Sequence, residues 1–165
     1  MTALSRNIIR LVPLVTCATG AILACAQEPA MHPLNVAFKD VKWQKMVPEL
    51  GDRSSEIAIL RVDPTTHATQ LMIRVPNNFH VPRHWHSANE THTIVSGTFI
   101  IECEGQRAEL GPGSFNYIPR KLPHEAWTKP DVGALLFITV DGAWDVNWVH
   151  GPPTERDLEP AAVGK

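Results

Sequence analysis

The sequence predicts an all-β protein built as a β-sandwich or β-barrel. Strand-forming segments recur about every eight to twelve residues between proline and glycine breaks, which is typical of these folds. No window longer than about a dozen residues carries a sustained 3.6-residue apolar repeat. The 14 prolines suit turns and strand ends rather than helix interiors.

The first 26 residues are expected to be a secretory signal peptide and not part of the fold. Arg6 and Arg10 precede the uncharged run "LVPLVTCATGAILACA", which closes on the A-x-A pattern of residues 24–26. Two alternatives stay open, a short membrane anchor and a lipoprotein acylated at Cys25. The run is shorter than the roughly 20 apolar residues of a spanning helix, so we expect a periplasmic or secreted protein.

Cleavage after residue 26 would move the formal charge from −2 to −4, because two of the 15 basic residues leave with the signal peptide. The remaining basic residues are scattered, which argues against a nucleic-acid partner. Only Cys103 would remain of the three cysteines, so no disulfide within the mature chain is expected. The stability of the mature fold must therefore come from its hydrophobic core and not from disulfides.

The mature chain is predicted to have three parts. Residues 27–54 are an irregular segment with a lead-in strand, residues 55–150 are the barrel, and the proline-rich residues 151–165 are a flexible tail. Turns are predicted at 63–67, 76–78 and 111–113, and Gly97 marks a bend or hairpin point. Strand segments are predicted at 55–62, 68–75, 92–104, 106–110, 114–119, 124–128, 133–140 and 143–149.

The stretch "HWHSANE" carries the strongest functional pattern. Side chains alternate faces in an extended chain, so His84 and His86 point the same way. Glu90 follows after a short corner, and His124 opens a later strand segment. Three imidazoles and one carboxylate suit a divalent cation that keeps coordination positions free for water or substrate.

These residues resemble the cupin superfamily. Its first motif, G-x5-H-x-H-x3,4-E-x6-G, is matched by His84, His86, Glu90 and Gly97, with Asn78 in place of the first glycine. Its second motif, G-x5-P-x-G-x2-H-x3-N, is matched by Gly113, Pro119 and His124, with Lys121 and Thr128 at its other two positions. The chain looks most like small single-domain bacterial cupins, including the ChrR-like group.

The resemblance implies a double-stranded β-helix, a jelly-roll barrel with a metal inside its mouth. It implies His84, His86, Glu90 and His124 as ligands of one divalent ion, with Zn, Mn, Fe and Ni all open. A homodimer is also expected by this resemblance. Two functions stay open: a metalloenzyme acting on a small oxygen-bearing substrate, as a dioxygenase, decarboxylase or isomerase, or a non-catalytic module that binds or senses a small ligand.

His92 is an additional candidate, because alternation places it on the inward face two residues after Glu90. It is interpreted as a catalytic general base, with a fifth ligand or a residue that orients Glu90 as alternatives. The other histidines, His32, His67, His80 and His150, are expected on the surface. The aromatic residues Phe99, Phe115, Tyr117, Trp127 and Phe137 are expected to pack the barrel, and Cys103 to be an ordinary strand residue.

Overall fold

Eleven β-strands and three short 3-10 turns make up residues 32–158, the part of the chain that this computed structural model describes. The 3-10 turns span Phe38–Asp40, Pro48–Arg53 and Glu155–Leu158. The strands are β1 (Gln44–Lys45), β2 (Glu56–Val62), β3 (Thr69–Val75), β4 (His80–Trp85), β5 (Glu90–Gly97), β6 (Phe99–Cys103), β7 (Gln106–Leu110), β8 (Phe115–Ile118), β9 (His124–Thr128), β10 (Ala134–Val140) and β11 (Asn147–Trp148).

The strands form two antiparallel sheets. Sheet A has the order β1-β2-β3-β10-β5-β8, and sheet B has the order β11-β4-β9-β6-β7. Each sheet mixes strands that are distant in sequence, as a jelly roll requires. The inward residues of both sheets meet in one apolar core, which includes Leu71, Ile94, Ile138, Phe99 and Ile101. The predicted all-β jelly roll is confirmed.

Gly97 divides the predicted strand segment 92–104 into β5 and β6. Its φ is +80°, a conformation that L side chains rarely adopt. A Cβ at this position would lie 1.9 Å from the carbonyl oxygen of Gly133. Both the backbone conformation and the close approach therefore require glycine at this bend.

The expectation that all the aromatic residues pack the barrel is wrong for Phe115 and Tyr117, whose exposed fractions are 62% and 54%. Both lie on β8, an edge strand of sheet A, where their side chains point away from the core. Trp127 and Phe137 also point away from the core, as the burial of the residues on either side of each shows. Phe99 is buried as expected.

His80 differs from the surface histidine that was expected. Its ring stacks on Trp127 with centroids 5.0 Å apart, and Nδ1 and Nε2 lie 3.1 Å from Asp157 and 3.0 Å from Glu125. Asp157 belongs to the 3-10 turn Glu155–Leu158, so His80 contacts the only described part of the predicted tail, residues 151–158. The side chain is half-buried because this turn and β9 cover it.

The predicted signal peptide, with its alternative lipid site at Cys25, lies outside the described residues 32–158. Within that range, no helix has the length and apolar character needed to cross a membrane.

Candidate metal centre

Strand β4 delivers the first two histidines of the site. His84 lies in the strand and His86 directly after it, and both side chains are buried while Trp85 between them is partly exposed. Their ring centroids are 5.0 Å apart. The alternation of an extended chain therefore places both imidazoles on one side, as the sequence predicts.

His124 joins this pair through the pairing of β4 with β9. His84 and His124 are register partners across the two antiparallel strands, and their ring centroids are 4.2 Å apart. The ligand atoms of His84, His86 and His124 all lie within 4.8 Å of one another. Three buried imidazoles thus converge from two adjacent strands of sheet B.

Glu90 approaches from the opposite sheet. It begins β5 of sheet A and is almost completely buried. Its Oε2 lies 3.0 Å from Nε2 of His86 and 3.0 Å from Nε2 of His92. The structure therefore groups the three histidines within ligand distance of one another and places Glu90 against His86, with His92 beside it.

The three imidazoles are oriented by backbone hydrogen bonds. Nδ1 of His84 donates to the carbonyl oxygen of Pro82 at 2.7 Å, and Nδ1 of His124 donates to that of Leu122 at 3.0 Å. Nδ1 of His86 donates to the carbonyl oxygen of Asp145. A carbonyl can only accept, so each Nδ1 carries a proton and Nε2 is the ring nitrogen left to bind a metal.

The protonation states also suit a divalent cation. Burial, reinforced by the neighbouring imidazoles, lowers the pKa of His84 to about 3. Burial likewise lowers the pKa of His124 to about 4. Burial opposes charge on Glu90 as well, yet the imidazoles of His92 and His86 hold its pKa well below the usual value. Neutral imidazoles beside a carboxylate are the donor set that Zn²⁺, Fe²⁺ and similar ions accept.

The pKa of His86 is shifted in the opposite direction from the pKa values of His84 and His124. Burial alone would lower its pKa, but the hydrogen bond to Glu90 and the charge of that carboxylate outweigh burial and raise the pKa. Without an ion, a proton on Nε2 of His86 would satisfy Oε2 of Glu90. A divalent cation would take the place of that proton, so the residues present fit a bound metal.

His92 lies next to the cluster on the inward face of β5. Its Nδ1 is buried and has no hydrogen-bond partner. Its register partner on β8 is Asn116, whose Oδ1 is also buried without a partner. A water molecule or a polar group of a ligand would satisfy such buried, unpaired atoms.

Two residues that follow β10 in the chain also support the cluster, and the sequence did not predict them. Nε1 of Trp144 donates to Oε1 of Glu90 at 3.1 Å, and Asp145 supplies the carbonyl that orients His86. One indication was available, because a tryptophan next to an Asp-Gly turn needs an acceptor for its N–H if it is buried. The identity of that acceptor depends on tertiary structure.

A mainly apolar cavity opens onto the cluster. Its polar lining comes from the cluster, His92 and Ser55, whose buried Oγ has no hydrogen-bond partner. The cavity volume open to the centres of water molecules is about 60 Å³. A ligand that fits entirely inside the cavity must therefore be small. Its apolar lining includes Ile73, Val81, Phe99, Leu136, Ile138 and Trp148.

Comparison with known protein families identifies this arrangement. Residues 71–143 match the family model of the cupin domain. The chain contains a cupin domain. The first glycine position of the family motif is filled by Asn78 at φ 53°, and the middle glycine of the second motif by Lys121 at φ 64°. The two substitutions therefore keep the left-handed backbone conformation that glycine usually supplies.

The cupin domain also has relatives among characterised structures. The polyketide cyclase RemF from Streptomyces resistomycificus is 22% identical with a TM-score of 0.60, over 77% of this chain and 90% of that one. The DMSP lyase DddQ from Ruegeria pomeroyi DSS-3 is 20% identical with a TM-score of 0.58, over 70% of this chain and 64% of that one. At these identities the likeness shows the fold alone.

A sequence relative comes from Aquifex aeolicus (strain VF5). This uncharacterised protein is 24% identical over 102 residues, which are 61% of this chain and 81% of the relative.

Proposed function

We propose that this cupin holds one divalent metal ion through His84, His86, His124 and Glu90 and acts as a metalloenzyme on a small oxygen-bearing substrate. When bound, the ion would act as a Lewis acid toward a substrate oxygen or, if it is redox-active, would support chemistry with O2. The observation that carries the proposal is the orientation of the three imidazoles, each with Nδ1 held by a carbonyl so that Nε2 is the ring nitrogen left to bind a metal.

The cavity restricts the substrate. Apolar side chains form most of its wall, so a ligand there would gain by burying an apolar body. Its oxygen-bearing end would lie at the histidine cluster. A catechol, an enediol or a small carboxylate combines these two features.

His92 is the candidate proton carrier in this proposal. Its Nε2 lies against the Glu90 carboxylate, which can only accept a hydrogen bond when ionised, so Nε2 carries a proton. In the neutral ring, the buried Nδ1 is then a free acceptor, which can take a proton from a substrate that enters the cavity.

The metal site is tested by metal analysis of two single variants. His124→Ala removes one imidazole, and we expect the metal content to fall from about one equivalent to nearly none after dialysis. His150→Ala removes an exposed histidine outside the cluster and serves as the matched control. Equal metal content in wild type and His124→Ala would contradict the proposed site.

Turnover distinguishes the enzyme from the alternative, a non-catalytic module that binds or senses a small ligand. Metal-loaded protein is incubated with catechols, keto acids and sugars while oxygen uptake and substrate loss are followed. We expect product from at least one class, and we expect His92→Gln to keep the metal but lose turnover. Saturable binding without product would favour the binding module, and full activity of His92→Gln would remove the role of His92.

Export is proposed from residues 1–26 alone. Arg6 and Arg10 are separated, so a twin-arginine signal for folded export is absent from these residues, and the chain would take its metal outside the cytoplasm. There the affinity order favours Zn²⁺ over Mn²⁺ and Fe²⁺. N-terminal sequencing and metal analysis of protein from the native periplasm test this. An uncleaved N-terminus would contradict export, and stoichiometric iron or manganese would contradict the metal preference.

A further inference from the structure

The loop of residues 141–148 follows the second cupin motif and contacts three of the four candidate ligands. The Asp145 carbonyl accepts the hydrogen bond from His86, and the Trp144 indole donates to Glu90. The ring of Trp148 lies 5.1 Å from that of His84. We call this segment the 141–148 loop.

Two aspartates fasten this loop to the corner between β4 and β5. Asp141 accepts from the backbone N–H of Asn89 at 2.9 Å and from its side-chain amide at 2.5 Å. Asp145 accepts from the backbone N–H of Ser87 at 2.8 Å and from its hydroxyl at 2.6 Å. Ser87 follows His86 and Asn89 precedes Glu90. The loop is therefore anchored immediately beside two candidate ligands, with Trp144 between its anchors.

The two oxygens of Glu90 have different surroundings. Oε1 accepts from Nε1 of Trp144 at 3.1 Å, whereas Oε2 faces His86 and His92 at 3.0 Å each. An indole N–H can only donate, and a buried N–H without an acceptor is costly. Trp144 therefore holds the carboxylate in one rotation, with Oε2 toward the histidines.

We propose that Trp144 is a positioning residue that reserves Oε1 of Glu90, so that the carboxylate offers a single oxygen to the metal ion. This inference rests on the proposed metal site. A carboxylate that binds through both oxygens would fill one more coordination position. By preventing this, Trp144 keeps that position open for the substrate.

The test uses protein loaded with one equivalent of Co²⁺, whose visible spectrum depends on coordination number. Trp144→Phe keeps an aromatic ring in the cavity wall but removes the N–H donor. We expect its visible Co²⁺ band to weaken relative to wild type, because a second carboxylate oxygen enters the coordination shell. We also expect the Kd for Co²⁺ to change by about 10- to 100-fold.

Trp127→Phe is the matched control. Trp127 lies on the outer side of sheet B, where it stacks on His80, so the same chemical change there leaves the Co²⁺ spectrum as in wild type. A wild-type spectrum in Trp144→Phe would overturn this inference while leaving the metal site intact. If the wild-type protein itself fails to bind Co²⁺, both the proposed function and this inference fail.

A measurement on the wild-type protein covers the case in which Trp144→Phe does not fold. The indole N–H of Trp144 is followed by ¹⁵N-resolved NMR before and after addition of one equivalent of Zn²⁺. We expect its resonance to stay downfield and protected from exchange with D2O, because Oε1 remains its acceptor. An upfield shift with fast exchange on zinc addition would show that the ion has taken Oε1, which would overturn the inference.

Discussion

The imidazole ring of each candidate histidine ligand is oriented by one hydrogen bond to a backbone carbonyl. For His84 and His124 the carbonyl belongs to the residue two positions earlier, Pro82 and Leu122, so the adjacent backbone fixes the ring. His86 lies beyond the end of β4 and takes its carbonyl from Asp145, 59 residues away. Its orientation therefore depends on the 141–148 loop.

Burial decides what each isoleucine contributes to stability. Ile94 on β5 has an exposed fraction of 1%, whereas Ile59 on β2 has one of 51%. We expect Ile94→Ala to lower the free energy of unfolding by about 2–5 kcal/mol, because it leaves a cavity in the core. The loss for Ile59→Ala should stay below roughly 1 kcal/mol. Urea unfolding measures both, and equal losses would contradict the described core.

A comparison of two glycines allows the cost of backbone strain to be measured apart from the cost of steric overlap. Gly97 and Gly105 both have positive φ, +80° and +76°, but a Cβ on Gly105 meets nothing within 4 Å. We expect Gly105→Ala to cost about 1–2 kcal/mol of unfolding free energy from the left-handed conformation alone. Gly97→Ala should cost at least roughly 2 kcal/mol more, because its Cβ overlaps Gly133. Similar thermal stabilities for the two variants would exclude this overlap.

At the scale of elements, the turn between β2 and β3 is organised by a single carboxylate. Asp63 Oδ1 accepts from the backbone N–H groups of Thr65 and Thr66 at 3.0 and 2.9 Å. The hydrogen bonds from Thr66 and Thr65 lower the pKa of Asp63 to about 2. The turn predicted at 63–67 is thus confirmed, with a charged acceptor at its start.

This turn gives a pH-dependent contribution to stability. A carboxylate with a lowered pKa stabilises the fold above its unfolded value near 3.8, and this contribution is lost as the pH falls toward 2. We expect wild type to unfold at a higher temperature than Asp63→Asn at pH 6, with a smaller difference at pH 3. Asn keeps an oxygen acceptor without the charge. A difference independent of pH would contradict a role for the charge.

At the scale of the whole molecule, the cluster joins the two sheets. His84 and His124 lie in sheet B, His86 directly follows β4 of that sheet, and Glu90 begins β5 of sheet A. A metal ion held by all four would therefore link the sheets across the core, and such a ligand would bind the folded chain in preference to the unfolded one.

Zinc is accordingly expected to stabilise the whole fold. At a free Zn²⁺ concentration of 100 times the Kd, the free energy of unfolding should rise by about 2.7 kcal/mol. Differential scanning calorimetry would show this as a higher unfolding temperature in wild type. The His124→Ala variant should show almost no increase, and an equal increase in that variant would place the zinc elsewhere.

The homodimer expected from the cupin resemblance stays a prediction, and the outer face of sheet A is the surface we expect it to use. The exposed Phe115 and Tyr117 lie there beside Thr93 and Thr91, their uncharged register partners on β5. The patch formed by these four uncharged side chains can meet its own copy without repulsion. Light scattering should give a dimer for wild type and a monomer for Phe115→Glu. A monomeric wild type would contradict the expectation.

The sequence by itself determined the features that follow from local geometry. Alternation placed His84 and His86 on one side and turned Glu90 and His92 inward, and proline and glycine breaks separated most of the strands. The resemblance to the cupin motifs then predicted the cupin domain and implied His124 as a further ligand. The facing of these side chains and the strand breaks are predictable because backbone conformation and side-chain period are properties of a short segment.

Only the tertiary structure decided which distant residues complete the cluster. It placed His124 opposite His84 by strand register, and it delivered Trp144 and the Asp145 carbonyl from a loop more than 50 residues away. It also turned Phe115 and Tyr117 outward, because the register of β8 with β5 places Asn116 and Ile118 on the inward face. Hydrophobicity alone carries no information about register or edge position, since both depend on which strands pair.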